Sequence, residues 1–294
     1  VWDALTQLLA CETAVLSQYT AISPIGAYPL SGGEESWQLS LMDVGHGLAV
    51  LVEKNNRAVL YDTGASYPGG FNLAEAVILP YLQYQGIKEL DKVIISHSDN
   101  DHAGGLDKIV AKLPVASMIG NGISILDTAA EASPCVRGET FAWQGLTFRV
   151  LWPQKLLDMA GNSKHQKNDD SCVVHISDGI RSVLLTGDIS RKVEKLLLRE
   201  TGIRADILVA PHHGSKTSSS RGFIDRVAPR LAVFSTGYLN RWKMPNVEVL
   251  KRYQSADINT LATAENGMIR IHFNQGNIWV DRYRRDIWPF WFAN

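Results

Sequence analysis

From residue 37 onward, short runs of alternating apolar and polar residues follow one another, separated by turn residues. The pattern predicts strands in WQLSLMDV, LAVLVE and AVLYD, because a strand covered on one face alternates apolar and polar side chains. A helix is predicted around Asn72 to Gln83, an apolar strand at residues 92–96 and another helix from about Leu106 to Leu113. Strands and helices therefore alternate after an initial meander.

The second half of the chain repeats this succession loosely. Strands are predicted in LTFRVLW, SCVVHIS, SVLLT and DILVA, helices near residues 190–200 and 219–227, and final strands in LAVFS, MIRIHF and NIWVDRY. Clusters of strands with flanking helices in both halves indicate two sheets packed together with helices outside. The predicted fold class is α/β, with an αββα sandwich.

The two ends differ from this body. Residues 2–22 have apolar side chains at helical intervals, and the residues that follow are rich in proline and glycine, as linkers are. We expect an N-terminal helix and linker over residues 1–36, a catalytic body over 37–284 and an aromatic tail over 285–294. The chain begins with Val1 and not with methionine, which suggests a piece of a longer polypeptide.

Composition narrows the class of protein. Hydrophobic residues make up 45% and charged residues 20% of the 294 positions, which is typical of a soluble globular protein. The formal net charge is −1, so a nucleic-acid partner would need a local basic patch. The three cysteines lack CxxC spacing, and we interpret them as buried thiols and not as a disulfide framework. No apolar run reaches the length of about 18 residues that predicts a membrane span.

Potential metal ligands are concentrated where predicted strands end. His97, Asp99, Asp101 and His102 follow the strand at 92–96 directly. Alternate side chains of an extended loop share one side, so these groups can converge on a cation. An ordinary polar turn is the structural alternative. The density of ligand types favours metal binding.

Two later strand ends carry the same residue types. Asp188 follows the run LLTG, and His212 and His213 follow the strand ILVA and Pro211. Asp188 alone is also compatible with a helix cap, whereas two adjacent histidines at a strand end are seldom structural. Their order along the chain, after the first motif, favours a shared site.

These motifs resemble those of the metallo-β-lactamase superfamily. HSDNDHAGG is similar to its HxHxDH loop, TGD to its bridging aspartate and PHHGS to its late histidine motif. Within the superfamily, roughly residues 37 to 280 are most similar to the ComEC family of DNA-internalisation channel proteins, through LMDVGHG, LYDTG, the HxDxDH loop, NDDS, LTGDI and PHHGSKTSSS. The resemblance implies a four-layer αββα fold and a metal-dependent hydrolase.

The resemblance also implies one or two divalent ions, with the ligands His97, Asp99, Asp101, His102, Asp188, His212 and His213. Asp99 stands where the superfamily usually has its second histidine, and NDDS replaces a segment that usually carries another. Because a position poor in nitrogen ligands suits a hard ion, Mn²⁺ is favoured, with Mg²⁺ or Zn²⁺ as alternatives. The position with Asp101, His102, Asp188 and one of the adjacent histidines is expected to bind better than the position with His97 and Asp99.

The expected reaction is hydrolysis of a phosphodiester by a water that the metal activates, with Asp101 and His213 as catalytic residues. Which of the two adjacent histidines is a ligand stays open. The predicted substrate contacts are Asp170, Ser171, Ser215, Lys216 and Asn240.

Other residues near the motifs are weaker candidates. Candidates for contact with a DNA strand are Lys216, Arg221, Arg241, Trp242 and Lys243, although solvated surface is the commoner role of such charges. Four histidines without a motif are interpreted as structural: His46, His165, His175 and His272.

Three functions remain open. The ComEC resemblance implies a nuclease that degrades the non-transported DNA strand during natural transformation. Such a nuclease would be a monomeric periplasmic domain of an inner-membrane protein, working beside the channel domain of the same full-length protein. A phosphoesterase acting on a non-DNA phosphodiester is the second possibility. A channel-associated domain without catalysis is the third.

Overall fold

The computed structural model describes residues 36–121, 132–154 and 168–286. The predicted N-terminal helix and almost all of its linker lie outside these residues, as do His165 and most of the aromatic tail. The strands are β1 (Trp37–Leu41), β2 (Val50–Lys54), β3 (Arg57–Tyr61), β4 (Lys92–Ile95), β5 (Met118–Gly120), β6 (Ala132–Ser133), β7 (Thr140–Trp143), β8 (Leu146–Trp152), β9 (Val173–Ser177), β10 (Ser182–Leu185), β11 (Ile207–Val209), β12 (Leu231–Phe234), β13 (Asn259–Ala262), β14 (Ile269–Asn274) and β15 (Asn277–Arg282).

Helices connect and cover these strands. The α-helices are Leu79–Tyr84, Asn100–Ala103, Leu106–Lys112, Arg191–Leu197, Arg221–Val227, Val247–Gln254, Thr263–Asn266 and Tyr283–Asp286; a π-helical turn spans Ala74–Ile78, and 3₁₀ turns span Asn168–Asp170 and Pro211–Gly214. Within the three described stretches, no helix is long and apolar enough to cross a bilayer.

The strands form two mixed sheets. The first has the order β15-β14-β1-β2-β3-β4-β5-β6 and the second the order β13-β12-β11-β10-β9-β8-β7. In the first sheet β3 pairs in parallel with β4, and in the second β10, β11 and β12 are parallel neighbours. Because parallel neighbours end at the same edge of a sheet, the loops after β3 and β4 emerge together, and so do the loops after β10, β11 and β12.

Three apolar cores show that the layers are helix, sheet, sheet and helix. Successive residues of β2 enter different cores: Val50 and Val52 pack between the sheets, while Leu51 packs under the helices of the first sheet. This is the period of two that the sequence pattern indicated. A third core joins the second sheet to its own helices, through residues such as Leu208 and Phe223. The predicted αββα sandwich is confirmed.

The interpretation of the cysteines as free thiols is wrong for two of them. Cys135 and Cys172 form a disulfide and are both fully buried between the sheets. Their separation of 37 residues hides the pairing, because only the packing of the two sheets brings them together. Cys11 lies outside the described residues.

Candidate metal centre

Four side chains from three strand ends meet at one point. Asp101 and His102 follow β4, Asp188 follows β10 and His213 follows β11, and one ligand atom of each lies within 4.8 Å of the others. His102 Nε2 is 3.2 Å from Asp188 Oδ1, and His213 Nε2 is 3.5 Å from Asp101 Oδ2. The residues Asn100–Ala103 form a helical turn, so Asp101 and His102 are brought inward by a helix and not by the extended loop that we expected.

The donor set fits a divalent cation. Nε2 of His102, Nε2 of His213 and Oδ1 of Asp188 are buried and have no hydrogen-bond partner. Buried polar atoms normally have a partner, so three such atoms facing one point indicate a ligand. Two imidazole nitrogens and two carboxylates are donors that Zn²⁺ and Mn²⁺ both accept.

Asp62 orients the first imidazole. It follows β3, is fully buried, and its Oδ2 accepts a hydrogen bond from His102 Nδ1 at 2.7 Å. The same carboxylate accepts bonds from Ser96 N at 2.6 Å and from Ser96 Oγ at 2.7 Å. Because an ionised carboxylate only accepts, the ring proton stays on Nδ1 and the Nε2 lone pair faces the cluster.

A backbone carbonyl orients the second imidazole. His213 Nδ1 donates to the Ser235 carbonyl at 3.0 Å, which again leaves Nε2 free. His212 and His213 both have left-handed backbone angles, with φ of 52° and 53°. Two adjacent non-glycine residues in this region cost energy and occur mainly where function requires them. The strained turn directs the His213 imidazole towards Asp101 and the His212 imidazole towards Thr217.

Two glycines permit the close packing around the carboxylates. Gly187 precedes Asp188 with φ +53°, and a Cβ there would lie 2.7 Å from Ser171 Cβ. A Cβ on Gly47 would lie 2.6 Å from the carbonyl oxygen of Asp101. Any side chain at these positions would push a ligand-bearing segment away.

The charges of the cluster are strongly coupled. Burial alone would raise the pKa of Asp101, but the nearby His213 and His102 outweigh it and lower the pKa to about 2. Burial alone would lower the pKa of His102, but Asp188 and Asp62 raise it well above its usual value. The pKa of His213 is also raised, because Asp188 and Asp101 outweigh its burial. Without a cation, the imidazoles therefore tend to carry protons that balance the carboxylates.

The other predicted metal ligands lie beside this cluster. His97 is buried, its ring centroid is 4.2 Å from that of His102, and its Nε2 is 3.7 Å from Asp99 Oδ2. His212 Nε2 is 3.7 Å from Asp188 Oδ2, while His212 Nδ1 is 3.2 Å from Thr217 Oγ1. A second metal position formed by these side chains stays a prediction.

Two of the predicted substrate contacts lie on the His97 side. Burial and the neighbouring Asp169 raise the pKa of Asp170 to about 6, against the opposing effect of His97. Ser171 is fully buried, and its Oγ accepts a hydrogen bond from Asp188 N at 2.9 Å and donates one to Asn168 O at 2.7 Å. Ser171 thus supports the candidate ligand Asp188.

The remaining predicted contacts have partners within the protein. Ser215 Oγ accepts from Thr217 Oγ1 at 3.0 Å, and exposed Lys216 is paired with Glu248 at 2.8 Å. The Asn240 amide forms three hydrogen bonds inside its own loop, two of them with the backbone of Met244. These contacts indicate that Asn240 holds the loop; direct contact with substrate stays a prediction for all three residues.

Sequence reasoning missed two residues of this site. Asp62 was noticed only as part of LYDTG, although an aspartate directly after an apolar strand is the same signal that identified Asp188. His46 was interpreted as structural, yet its ring is 4.6 Å from that of His213, and burial and His213 lower its pKa to about 4. Its place in the turn DVGHG gave no sign of this proximity.

Comparison with known proteins identifies relatives over most of the chain. The family model of the metallo-β-lactamase superfamily matches residues 42–238. Recombination protein 2 of Haemophilus influenzae is 41% identical over 88% of this chain and 31% of its own length. Competence protein ComA of Neisseria gonorrhoeae is 32% identical over 85% of this chain and 34% of its own length. ComE operon protein 3 of Bacillus subtilis is 30% identical over 90% of this chain and 38% of its own length. The chain thus spans about a third of the length of these curated relatives.

Solved structures share the fold at low identity. Igni18, a metallo hydrolase of Ignicoccus hospitalis, superposes with a TM-score of 0.55 at 16% identity, covering 81% of this chain and 100% of that one. The metallo-β-lactamase fold protein YhfI of Bacillus subtilis gives a TM-score of 0.51 at 11% identity, with coverage of 84% and 100%. These matches support the architecture alone.

Proposed function

Because this chain belongs to the metallo-β-lactamase superfamily and is related to ComEC-type competence proteins, we propose that it is a metal-dependent nuclease acting in DNA uptake. In this proposal it degrades the DNA strand that is not transported. The observation that supports a metal enzyme most directly is the convergence of the unpartnered buried atoms of His102, His213 and Asp188 beside Asp101. The competence relatives supply the link to DNA.

We infer that Asp101, His102, Asp188 and His213 hold the first cation. When bound, a divalent cation acidifies water and polarises a phosphoryl oxygen. We favour Mn²⁺ over Mg²⁺ and Zn²⁺ because carboxylates match the imidazoles in number and Asp99 adds another oxygen donor nearby. His97, Asp99 and His212 are proposed for a second ion.

The protein's own groups orient the reaction. Asp62 and the Ser235 carbonyl keep the two ligand imidazoles in the tautomer that exposes Nε2. His212 is the more exposed of the adjacent histidines, so it is available to contact the leaving group when only the first ion is bound. Asp170, with a pKa of about 6, can accept or release a proton near neutral pH beside His97.

The setting of the domain is part of the proposal. We propose that residues 37–284 act as a monomeric catalytic domain outside the cytoplasmic membrane. There it would work beside a channel domain in the same full-length protein. The partial coverage of the longer relatives supports the part of this proposal that concerns a longer protein.

The test uses purified protein with labelled single- and double-stranded DNA and added Mn²⁺, Mg²⁺ or Zn²⁺. We expect metal-dependent cleavage that Asp101→Ala and His102→Ala abolish. His272→Ala is the matched control, because His272 pairs with Asp281 away from the cluster and its loss should leave cleavage intact. Cleavage that persists in Asp101→Ala would mean a contaminant or another site.

The same assay separates the two alternatives. Hydrolysis of bis(p-nitrophenyl) phosphate without any cleavage of DNA would favour a phosphoesterase acting on a non-DNA diester. A lower melting temperature in Asp101→Ala, with no hydrolysis of either substrate by the wild type, would favour a structural metal in a non-catalytic domain.

A further inference from the structure

A loop after β12 lies against both histidine-bearing turns of the metal centre. In this 237–245 loop, a Cβ on Gly237 would lie 3.1 Å from the backbone nitrogen of His46. At the other end of the loop, a Cβ on Gly214 would lie 2.7 Å from Pro245 Cβ. Asn240 closes the loop with its three internal hydrogen bonds. The loop is therefore held at the metal centre at both of its ends.

Planar side chains stack in a line from the metal centre to the surface. The His46 ring is 4.6 Å from that of the ligand His213, and the Trp242 ring stacks on His46 at 4.0 Å with an interplanar angle of 18°. The Arg241 guanidinium lies over the Trp242 ring at 4.3 Å. Trp242 is 47% exposed, so the outer end of this stack is at the surface. We call these three residues, His46, Trp242 and Arg241, the aromatic stack.

Arg241 differs from other exposed cations near the site. Lys216 is paired with Glu248 at 2.8 Å and Arg221 with Asp225 at 2.7 Å. Among the described residues, Arg241 forms neither an ion pair nor a hydrogen bond, and its contact is with the face of Trp242. The stack orders the guanidinium in advance but leaves its donors unused. A preordered cation with free donors loses less entropy when it binds an anion.

We propose that Arg241 binds a backbone phosphate next to the phosphodiester that is cleaved, and that Trp242 is the residue that positions it. This inference rests on the proposed nuclease function and names a substrate contact for it. A guanidinium suits phosphate because its planar donors match two phosphate oxygens. The stack also accounts for the position of His46, which links the loop to the ligand His213.

The test measures KM for cleavage of a single-stranded oligonucleotide at several salt concentrations, with 1/KM as the measure of affinity. Each phosphate contact adds about 0.7 to the slope of the logarithm of affinity against the logarithm of salt concentration. We expect Arg241→Ala to reduce this slope by about 0.7 and to raise KM about tenfold, the loss expected for one charge-assisted hydrogen bond. The loss on bis(p-nitrophenyl) phosphate, which has no flanking phosphate, should be smaller. Arg241→Lys should keep most of the slope because it keeps the charge.

The positioning role of Trp242 has its own measurement. Trp242→Ala should raise KM for the oligonucleotide more than it lowers kcat, and Trp242→Phe should restore KM because a ring face remains. Arg199→Ala is the matched control, because Arg199 is another exposed arginine and follows the helix Arg191–Leu197 at the end away from Asp188. This control should change neither the slope nor KM.

Results that differ from these expectations would overturn the phosphate contact of Arg241, the positioning role of Trp242 or the proposed function. An unchanged slope in Arg241→Ala, while the wild type cleaves DNA, would overturn the phosphate contact and leave the proposed function standing. An equal loss in Arg199→Ala would mean a general charge effect and would also overturn it. Unchanged kinetics in Trp242→Ala would overturn the positioning role. Absence of DNA cleavage by the wild type would overturn the proposed function and this inference together.

Discussion

Asp62→Asn tests how the protein prepares His102 to bind a cation. Asp62 Oδ1 accepts the Ser96 N–H at 2.6 Å, and Oδ2 accepts from His102 Nδ1 at 2.7 Å. In the asparagine variant the backbone N–H of Ser96 still needs an acceptor, so the amide oxygen takes the Oδ1 place and the amide nitrogen faces His102. Two N–H groups cannot face each other, so the ring proton moves to Nε2. That nitrogen is the one directed at the cluster.

The expected loss follows from this change of tautomer. Removing a partner that orients a metal-bound imidazole costs about 10- to 100-fold in metal affinity. Since each factor of ten is about 1.4 kcal/mol, the variant should bind Mn²⁺ more weakly by about 1.4 to 2.8 kcal/mol. Asparagine has nearly the size of aspartate, so the packing around the fully buried residue should persist.

The assay is a calorimetric titration of Mn²⁺ into the metal-free protein, with circular dichroism to check that the variant is folded. Asp281→Asn is the matched control, since Asp281 accepts from His272 Nε2 at 2.8 Å outside the metal centre. That substitution should leave Mn²⁺ affinity as it is. If a folded Asp62→Asn protein binds Mn²⁺ as tightly as the wild type, Asp62 does not control the tautomer and the reasoning fails.

Three further predictions concern protonation, packing and the disulfide. His102 and His213 have pKa values above the usual 6.5, so Mn²⁺ binding at neutral pH should release protons, and Mn²⁺ affinity should fall as pH falls. Calorimetry in buffers of different ionisation enthalpy measures the proton release, and its absence would contradict this prediction. Gly47→Ala, whose Cβ would lie 2.6 Å from the Asp101 carbonyl oxygen, should lower both the melting temperature and the Mn²⁺ affinity. Gly222→Ala is the control at an open helical position and should raise the free energy of unfolding by about 0.5–1 kcal/mol. Reducing the disulfide, which closes 37 residues, should lower the free energy of unfolding by about 3–4 kcal/mol. Urea titrations with and without reductant measure this, and equal free energies of unfolding would contradict the stabilising role of the bond.

Element prediction succeeded where the apolar pattern was strong. The strands KVIIS, SVLLT and DILVA were predicted because each is a nearly continuous apolar run, as expected for strands buried on both faces. The helix Val247–Gln254 was not predicted although Val249, Leu250 and Tyr253 form an apolar face, because its eight residues are too few for a repeating pattern. The short strands β5, β6 and β7 were also missed. β5 has only three residues, and β6 and β7 are partly exposed edge strands, so none of them carries a long apolar pattern.

The amino-acid sequence by itself determined the fold family, the strand ends that carry the potential ligands and the residue types of the candidate metal centre. These features are local, since each depends on an apolar run and the few polar residues after it. Only the tertiary structure decided that His213 and not His212 joins Asp101, His102 and Asp188, because a strained backbone turn separates two neighbouring imidazoles. The disulfide and the contact of Trp242 with His46 were decided in the same way, by segments far apart in the chain that meet only in the folded protein. The orienting role of Asp62 depends on the pairing of β3 with β4 within the first sheet.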